Sequence, residues 1–562
     1  MRNFIFLGAA PTGRMLRYFF TVTFFCDFFR NMRRQVATAA EICYSVLNKT
    51  RRHFLRGEKM TMNNILNIIN FVRASEPRAE DDSFLLNTFR REVDMCREFN
   101  FPATFLFQYD ALILPEYTDY IKANLPAAET GLWFETVGQL VRKCGIEWRG
   151  RNDWDWHNDV GFLIGYSPKE REKLIDEAFK EYKNVFGKYP SVVGSWHIDA
   201  YSLNYISSKY KIDAACICKE QTGTDGYTLW GGVYSGAYFP SVNNMLCPAS
   251  TEKNKIDVPV FRMLGSDPIA QYDNGIDTDS KTQGVNSLEP VYSDSGSSEE
   301  WTRGFLDNNY NGKSLALAYA QAGQENSFGD DIFDGLTMQF GVFKEYADAG
   351  KITIETLGES GRRFSSENRI TPPQCQCFDF APDGSDAETM WYNCAKYRIN
   401  IHRRGGKLYI RDFHIFDENV KEAYLTGRVT SNNCGYYTLP VMDGLNFSRK
   451  DERAGIYFCG ENDFAANTDA WQTATNGCDS VTVTAGGFTV TCTPNGVDIS
   501  VSDGGSLRFV GKTEHITSVK ADELHMTSRG TAYALRLTRG SFSAADGRVE
   551  IRPADGKITF SI

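Results

Sequence analysis

Two carboxylates in this chain occupy positions where an α/β enzyme keeps its chemistry. Glu325 follows the apolar run 315–322, and Asp199 closes a second run that ends Trp196-His197-Ile198-Asp199. Buried strands that break into polar residues at their carboxyl ends present those residues at one edge of a parallel sheet. Two acids at such an edge are the minimum equipment for cleaving a glycosidic bond. We therefore predict Asp199 and Glu325 as the catalytic residues.

Each prediction has a structural alternative. Asp199 could cap the following helix, because Ser202 and Asn204 come directly after it. Glu325 could lie at a strand end that simply meets solvent. His197 lies two residues before Asp199 and on a strand would face the same side. It is expected to bind a sugar hydroxyl or tune a carboxylate, or to be a structural histidine.

Two long insertions and several strand ends carry the predicted substrate-binding residues. Aromatic rings can stack on sugar faces, while Arg and acidic side chains bind hydroxyls. The insertion 141–166 is dense in such residues, and the insertion 219–256 contains a second set. The predicted binding residues are Glu76, Glu135, Arg149, Arg151, Trp154, Asp155, Trp156, His157, Trp196, His197, Asp225, Trp230, Arg262, Asp267 and Gln324.

For some of these residues other pairings remain open. Glu135 could pair with Arg142 at the surface, and Arg262 could pair with Asp267. A Ca²⁺ site built from the alternating acids 153, 155 and 159 is conceivable, although the glycine and terminal glutamate of an EF-hand are lacking.

The elements that must position these residues alternate between strand and helix. Apolar, β-branched runs predict seven strands, the first at 65–72 and the last at 314–324. Between them, Ser167 and Glu170 form a capping-box pattern that predicts a helix over 168–186. Such alternation indicates a parallel sheet. We predict an α/β fold, an irregular seven-stranded (β/α) barrel over residues 60–370.

After Pro372 and Pro373 the pattern changes. Helical periodicity stops, and short alternating segments such as 407–412, 480–484, 488–492, 497–501 and 557–562 are separated by Gly, Asn and Asp turns. Short strands with frequent turns are typical of an all-β sandwich. We therefore predict a C-terminal β-sandwich domain over residues 371–562.

The amino-acid composition limits the classes of partner and the location that we expect for this protein. The net charge of -10 argues against nucleic acid, whose affinity rests on cationic contacts to phosphate. The 14 scattered cysteines suit a reducing compartment, so a cytoplasmic location is expected. No membrane partner is expected, and the oligomeric state is left open.

The first 59 residues differ from the rest, being rich in Phe and Arg. Arg56-Gly57-Glu58-Lys59, just before Met60, can be encoded entirely by purines, as a translated ribosome-binding site would be. We expect the native start at Met60 or Met62, with 1–59 a non-native extension or disordered. The alternative is a basic anchor on a membrane surface.

Several segments carry a family resemblance. Residues 89–108, Glu129-Thr130-Gly131-Leu132 and the passage 186–196 resemble the polysaccharide deacetylase superfamily and the related glycoside hydrolase families 57 and 38. The resemblance covers about residues 64–365 and is one of fold. It implies an irregular seven-stranded barrel, often with a C-terminal β-sandwich, and a carbohydrate substrate.

The chain departs from the motifs of these families. Metal-dependent deacetylases carry an Asp-Asp pair after the first strand and a His-x-x-x-His motif after the third, whereas here Arg73 and Glu76 follow the first strand and no histidine pair exists. Family 57 carries Glu after strand four and Asp after strand seven, types that Asp199 and Glu325 exchange. We predict a metal-independent glycoside hydrolase or transglycosidase that needs no cofactor and acts on an oligosaccharide or glycoside. The alternatives are a metal-dependent carbohydrate deacetylase and a non-catalytic carbohydrate-binding protein.

Overall fold

The protein is described here by a computed structural model that covers residues 64–224, 227–278, 281–460, 470–501, 504–545 and 547–562. The predictions made for residues 1–59 therefore lie outside the described residues.

The part of the chain up to residue 355 contains one large sheet and two short hairpins. Its strands are β1 (Asn64–Val72), β2 (Thr104–Phe107), β3 (Glu129–Trp133), β4 (Val192–Ser195), β5 (Ala214–Ile217), β6 (Gln221–Thr224), β7 (Tyr227–Leu229), β8 (Ala237–Tyr238), β9 (Pro240–Ser241), β10 (Asn244–Pro248), β11 (Val260–Arg262), β12 (Ala318–Ala322) and β13 (Thr353–Glu355).

The large sheet is mostly parallel and curled. Its order is β12-β1-β2-β3-β4-β5-β11-β8, in which only β8 is antiparallel to its neighbour, while β13 pairs with β1. The two ends of the parallel set approach each other, because the backbone N–H of Gly265 donates to the carbonyl oxygen of Gln321 at 2.9 Å. Each of the seven predicted strands is present, and the predicted parallel pairing is confirmed.

Helices connect these strands. They are α1 (Phe84–Phe99), α2 (Tyr109–Leu112), α3 (Pro115–Asn124), α4 (Gly138–Lys143), α5 (Pro168–Phe186), α6 (Ala200–Tyr210), α7 (Glu299–Asn309), α8 (Phe333–Asp348) and α9 (Leu357–Glu367), with short 3₁₀ segments at Leu163–Gly165, Glu252–Asn254, Asn326–Ile332 and Ala423–Leu425.

The predicted start of α5 is confirmed. The Ser167 side chain accepts from the backbone N–H of Glu170, whose carboxylate accepts in return from the backbone N–H of Ser167. Gly187, with φ 76°, ends the helix in the left-handed conformation that glycine adopts without strain. Among the described residues, none of the helices is both long enough and apolar enough to cross a bilayer.

The C-terminal part of the chain forms two antiparallel sheets. Its strands are β14 (Gln374–Phe378), β15 (Glu388–Asn393), β16 (Tyr397–Arg404), β17 (Lys407–Ile415), β18 (Leu439–Asp443), β19 (Gly455–Cys459), β20 (Gln472–Asn476), β21 (Ser480–Ala485), β22 (Phe488–Thr493), β23 (Gly496–Val501), β24 (Ser506–Val510), β25 (Ile516–Val519), β26 (Glu523–Ser528), β27 (Thr531–Arg539), β28 (Ser541–Ala545), β29 (Arg548–Arg552) and β30 (Lys557–Ser561).

These two sheets share one apolar cluster. One sheet runs β14-β15-β16-β17-β19-β24-β29-β28, with β18 beside β17, and the other runs β20-β21-β22-β23-β30-β27-β26-β25. Side chains of both sheets meet in the cluster, as in the ring contacts of Phe413 with Phe560 and of Phe458 with Phe488. Alternating burial along strands such as β22 and β26 fits sheets with one buried face.

One glycine sets the path of the chain into Glu325. Gly323 has φ 103°, and a Cβ atom there would lie 2.2 Å from the carbonyl oxygen of Ile69. The close approach lets Gln324 accept from the backbone N–H of Phe71 at 3.1 Å. Glu325 is thereby held beside the carboxyl end of β1.

We expect Gly323→Ala to lower the melting temperature strongly. The positive φ alone costs an alanine about 1–3 kcal/mol, and the contact with Ile69 adds to that. Gly341→Ala is the matched control, because Gly341 is an exposed position in α8 with open space at its Cβ. Alanine there should add up to about 1 kcal/mol to stability. Equal melting temperatures for the two variants in a thermal denaturation series would contradict this account.

Candidate active site

A buried arginine lies at the centre of the polar strand ends. Arg73 follows β1 and is 3% exposed. One of its terminal nitrogens, Nη2, contacts Oε2 of Glu325 after β12 and lies 3.4 Å from Oε2 of Glu135 after β3. The other nitrogen, Nη1, lies 3.4 Å from Glu76. Three predicted binding or catalytic residues are thus brought together around a residue that was not predicted.

Backbone contacts position this arginine. The amide of Asn326 accepts from the backbone N–H of Arg73 at 3.0 Å and donates back to its carbonyl oxygen at 2.8 Å. Asp110, after β2, accepts from the backbone N–H of Ala74 at 3.1 Å. The ends of β1, β2 and β12 are therefore joined to one another just below the charged groups.

Glu135 is held by donors from three strand ends. Its Oε2 atom accepts from the indole of Trp133 at 3.0 Å and from the amide of Gln108 at 3.2 Å, besides the contact with Arg73. Trp196 is also a hydrogen-bond partner of this carboxylate. Its ring packs 5.0 Å from that of Trp133. The side chain of Glu135 is fixed in place by aromatic residues that wall the site.

Aromatic rings and a second arginine cover the cluster. The guanidinium of Arg73 lies 4.3 Å from the centroid of the Trp154 ring, a cation–π contact. Arg78 lies 5.0 Å from the same ring and 5.7 Å from that of Trp156, and it donates to both oxygens of Glu76. With 42% of its side chain exposed, Arg78 is the outermost charged group of the cluster.

Burial and charge act in opposite directions on these groups. Burial alone would lower the pKa of Arg73, but the carboxylates of Glu325, Glu135 and Glu76 raise it far above its usual value. Burial raises the pKa of Glu135 even though Arg73 and the hydrogen bonds favour its ionised form. Burial also raises the pKa of Asp110 to about 6. The site therefore holds a permanent cation beside two acids, Glu135 and Asp110, that gain a proton more readily than exposed ones.

A further acid, Glu92 on α1, lies behind Glu325. Burial, followed by the charge of Glu325, raises its pKa well above the usual value. Among the described residues neither oxygen of Glu92 has a hydrogen-bond partner. We infer that Glu92 is protonated at neutral pH, because an unpaired buried carboxylate is costly.

The other predicted catalytic residue, Asp199, makes the helix-capping contacts that were its structural alternative. Its Oδ1 atom accepts from the backbone N–H of Ser202 at 3.0 Å and pairs with Arg171 at 2.9 Å, and its Oδ2 atom accepts from the Ser202 hydroxyl. Both partners of the ion pair have no exposed side-chain surface. Asp199 is the N-cap of α6, and its side chain bonds to Arg171 and Ser202.

The predicted insertion residues divide between two places. Trp154 is buried over Arg73, whereas Trp156 is half-buried and stacks on His157 with 5.7 Å between ring centroids. Asp155 accepts from Arg151 at 2.9 Å and from the ring of His157 at 2.6 Å. Burial by itself would raise the pKa of Asp155, but the hydrogen bonds from Arg151 and His157 lower it.

The alternative pairings that the sequence leaves open are decided by the structure. Arg142 pairs with Asp153 at 2.5 Å, so the surface partner expected for Glu135 is replaced by Arg73. Asp153 and Asp155 are each occupied by a cationic side chain, which does not fit the conceivable Ca²⁺ site.

The remaining predicted residues lie around the site or away from it. Burial lowers the pKa of His197 to about 4, so its ring is neutral at pH 7. Gln324 accepts from the backbone N–H of Glu325. Backbone groups bind the other side chains: Arg149 donates to Gly165, Arg262 donates to Gly231, and Asp267 accepts from Ile269 and Ala270. Trp230 donates to Asp443 at 2.8 Å, and Asp225 lies outside the described residues.

Sequence reasoning left out Arg73, Gln108 and Trp133, which complete the group. The signal was available for Arg73 and Gln108, since each directly follows a buried strand, the same position that pointed to Glu325. Trp133 is the last residue of β3, two residues before Glu135, and the sequence pattern predicts it only as a strand residue.

The residues present do not form a metal site of the kind the resemblance implies. Among the described residues, no group of three or more His, Cys, Asp and Glu side chains has a metal-binding arrangement. The place where three carboxylates converge is filled by the guanidinium of Arg73, whose positive charge would repel a second cation. The donor set fits an arginine rather than zinc.

Comparisons with known proteins find similar solved structures but no matching family. No family model matches the chain, and no curated protein matches it. A solved structure from Parabacteroides distasonis, described as a candidate glycoside hydrolase/deacetylase, is 17% identical with a TM-score of 0.49, over 69% of this chain and 91% of that one. A candidate polysaccharide deacetylase from Mycobacterium smegmatis is 12% identical with a TM-score of 0.35, over 56% and 93%. Values this low leave the activity to be argued from the chain's own residues.

We expect Arg171→Met to lower the melting temperature strongly, because it leaves Asp199 as a buried charge without its cation. Removing one partner of such a pair costs about 3–5 kcal/mol. Arg91→Met is the matched control, since the Arg91–Asp330 pair is largely exposed and is worth about 0–1 kcal/mol. An Arg171→Met protein that melts with the wild type would contradict the buried pairing.

Proposed function

We propose that this protein is a glycoside hydrolase that works without a metal, and that Glu135 and Glu325 are its catalytic pair. One observation carries the proposal: carboxylates from the ends of two different parallel strands contact the same nitrogen of Arg73. Paired carboxylates of this kind are the chemistry of glycosidic bond cleavage. We also infer that the curled sheet is the seven-stranded barrel that the sequence predicts.

Spacing supports a retaining reaction. Because Arg73 Nη2 contacts one oxygen of each acid, the two oxygens lie within about 6 Å of each other. Retaining enzymes keep their carboxyl groups about 5–5.5 Å apart, whereas inverting enzymes need about 6.5–9.5 Å to admit a water molecule. The pair Glu135 and Glu325 therefore replaces the pair Asp199 and Glu325 in the proposed mechanism.

The environments of the two acids suggest their roles. Glu325 makes the close contact with the permanent cation of Arg73, which favours its ionised form and suits a nucleophile. Glu135 has a raised pKa caused by burial, which suits a proton donor.

In the first step the carboxylate of Glu325 would attack the anomeric carbon while Glu135 protonates the departing glycosidic oxygen. This step forms a glycosyl ester on Glu325 and breaks the glycosidic bond. In the second step Glu135, now ionised, takes a proton from water as the water oxygen attacks the same carbon. The ester bond breaks, Glu325 regains its charge and Glu135 regains its proton.

Trp133, Trp196 and Trp154 support a sugar substrate, since they wall the pair with ring surface. Glu135 and Glu325 are almost completely buried, so a substrate reaches them only if covering side chains move. Arg78 and Trp156 are the outer groups over the cluster that a substrate would displace. The guanidinium of Arg73, which contacts both acids, would have to shift as the glycosidic bond enters between them.

Glu135→Gln and Glu325→Gln should each reduce kcat on a nitrophenyl glycoside by about 10²–10⁴-fold, because losing a catalytic acid or base costs that much. Each variant should also melt below the wild-type temperature, because it removes a charge that neutralises the buried Arg73. Activity is therefore compared at a temperature at which all the proteins remain folded. Glu98→Gln, an exposed glutamate of α1, should leave the activity unchanged.

Two further readouts separate the roles. The dinitrophenolate of a 2,4-dinitrophenyl glycoside leaves without being protonated. The first step on this substrate should therefore be impaired much less in Glu135→Gln than in Glu325→Gln. Because Glu135 must be protonated to donate, kcat/KM of the wild type should fall as pH rises through its raised pKa, and this limb should be absent in Glu135→Gln. Wild-type turnover by Glu325→Gln would remove it from the mechanism.

Removal of metal should leave the activity intact. Purified protein analysed for bound elements should contain less than one equivalent of zinc, and dialysis against EDTA should not change hydrolysis of aryl glycosides. One equivalent of zinc, with release of acetate from acetylated sugars that EDTA abolishes, would instead favour the deacetylase. Binding of oligosaccharides without turnover would favour the carbohydrate-binding protein.

A further inference from the structure

A cavity lies between the strand-end insertions and the C-terminal sheets. Its volume is about 450 Å³, within the range of cavities that bind small ligands. Segments far apart in sequence line it, among them Asn158, Trp230, Tyr436 and the turn at Arg529.

The cavity adjoins the strand ends that carry the proposed site. Asn158 lies in the insertion that covers Arg73, and its backbone N–H donates to the side chain of Asn432 at 2.9 Å. The ring of Tyr436 lies 6.1 Å from that of His197, which follows β4. A chain of sugars leaving the site on this side would meet the cavity.

The walls of the cavity suit sugar. The indole of Trp230 is held by Asp443, whose other hydrogen bonds orient Asn446. Asn433 and Arg529 are exposed and supply an amide and a guanidinium. Aromatic faces with hydrogen-bonding groups at the rim match the alternating apolar faces and hydroxyl edges of a pyranose.

Arg529 occupies a backbone position that disfavours it. Arg529 and Gly530 form the two-residue turn between β26 and β27, with φ 46° and 81°. Such turns favour Asn, Asp or Gly at the first position, and another residue there costs about 1–2 kcal/mol. The guanidinium lies 5.7 Å from the centroid of the Tyr437 ring, a cation–π contact that holds it beside the cavity that it lines.

We propose that this cavity is a distal subsite for oligosaccharide chains, with Arg529 and Asn433 as hydrogen-bonding residues and Trp230 and Tyr436 as ring walls. The proposal rests on the proposed glycoside hydrolase activity, which it deepens by naming a polymeric or oligomeric substrate. Such a subsite contributes to binding without touching the bond that is cleaved.

Arg529→Gly provides a sharp test, because glycine relieves the positive φ while removing the guanidinium. Its melting temperature should equal or exceed that of the wild type, and its KM for a pentasaccharide should rise about tenfold, the value of a lost charge-assisted hydrogen bond. Asn433→Ala should raise the same KM by a smaller factor. Neither variant should alter kcat/KM on an aryl monoglycoside of the same sugar.

Asp555→Gly is the matched control. Asp555 and Gly556 have φ 50° and 68° in a similar turn before β30, and Asp555 does not line the cavity. This variant should leave both substrates unaffected. Equal KM for the pentasaccharide in wild type, Arg529→Gly and Asn433→Ala would overturn the subsite, as would a wild type indifferent to chain length.

Failure of the hydrolase proposal is distinguishable from failure of the subsite. If no aryl glycoside is cleaved, calorimetric titration with cello-, malto-, xylo- and N-acetylchito-pentaose tests the cavity directly. Binding by the wild type and Asp555→Gly that is weakened in Arg529→Gly would support the subsite. No binding of any pentaose by the wild type, or equal binding by all three proteins, would overturn it.

Discussion

A buried guanidinium that must be neutralised determines how the strand ends of this protein meet. Removing Arg73 from water is costly unless carboxylates with good geometry replace the lost solvation. Three strand ends supply them, as Glu76 follows β1, Glu135 follows β3 and Glu325 follows β12. The same contacts that stabilise the cation bring two acids to a spacing useful for chemistry. Stability and candidate function therefore depend on one interaction.

The same constraint recurs where the C-terminal sheets meet the insertions. Arg398 on β16 binds both oxygens of Asp412 at 2.9 Å and also contacts Glu220, which follows β5. Arg171 on α5 joins Asp199 to the carbonyl oxygen of Tyr424. Arg398 and Arg171 thus each tie a strand-end segment to the C-terminal part of the chain. The C-terminal region thus helps to hold the edge that carries the site, and the sugar-binding cavity proposed above lies along that boundary.

Periodicity predicted the elements well because it reports burial directly. The seven predicted strands are present, each trimmed at its ends, and the capping box of α5 is formed as expected. Trimming occurs where the chain leaves the ladder, as at Tyr109, where α2 begins. The side chain of Gln108, just before that point, faces the site. The polar strand ends also predict Glu76, Glu135 and Glu325 as site residues from sequence alone.

The sequence by itself determined which residues lie at the polar edge, since strand ends follow from local patterns. It did not determine what each one does there. Asp199 and Glu325 look alike in sequence, yet one caps a helix against Arg171 and the other faces Arg73. The role of a buried carboxylate depends on the charges around it in space. Those charges come from residues far away in the chain, such as Arg73, which lies 252 positions from Glu325. Only the tertiary structure decides such partners, because electrostatic interactions follow distance through space and not separation along the chain.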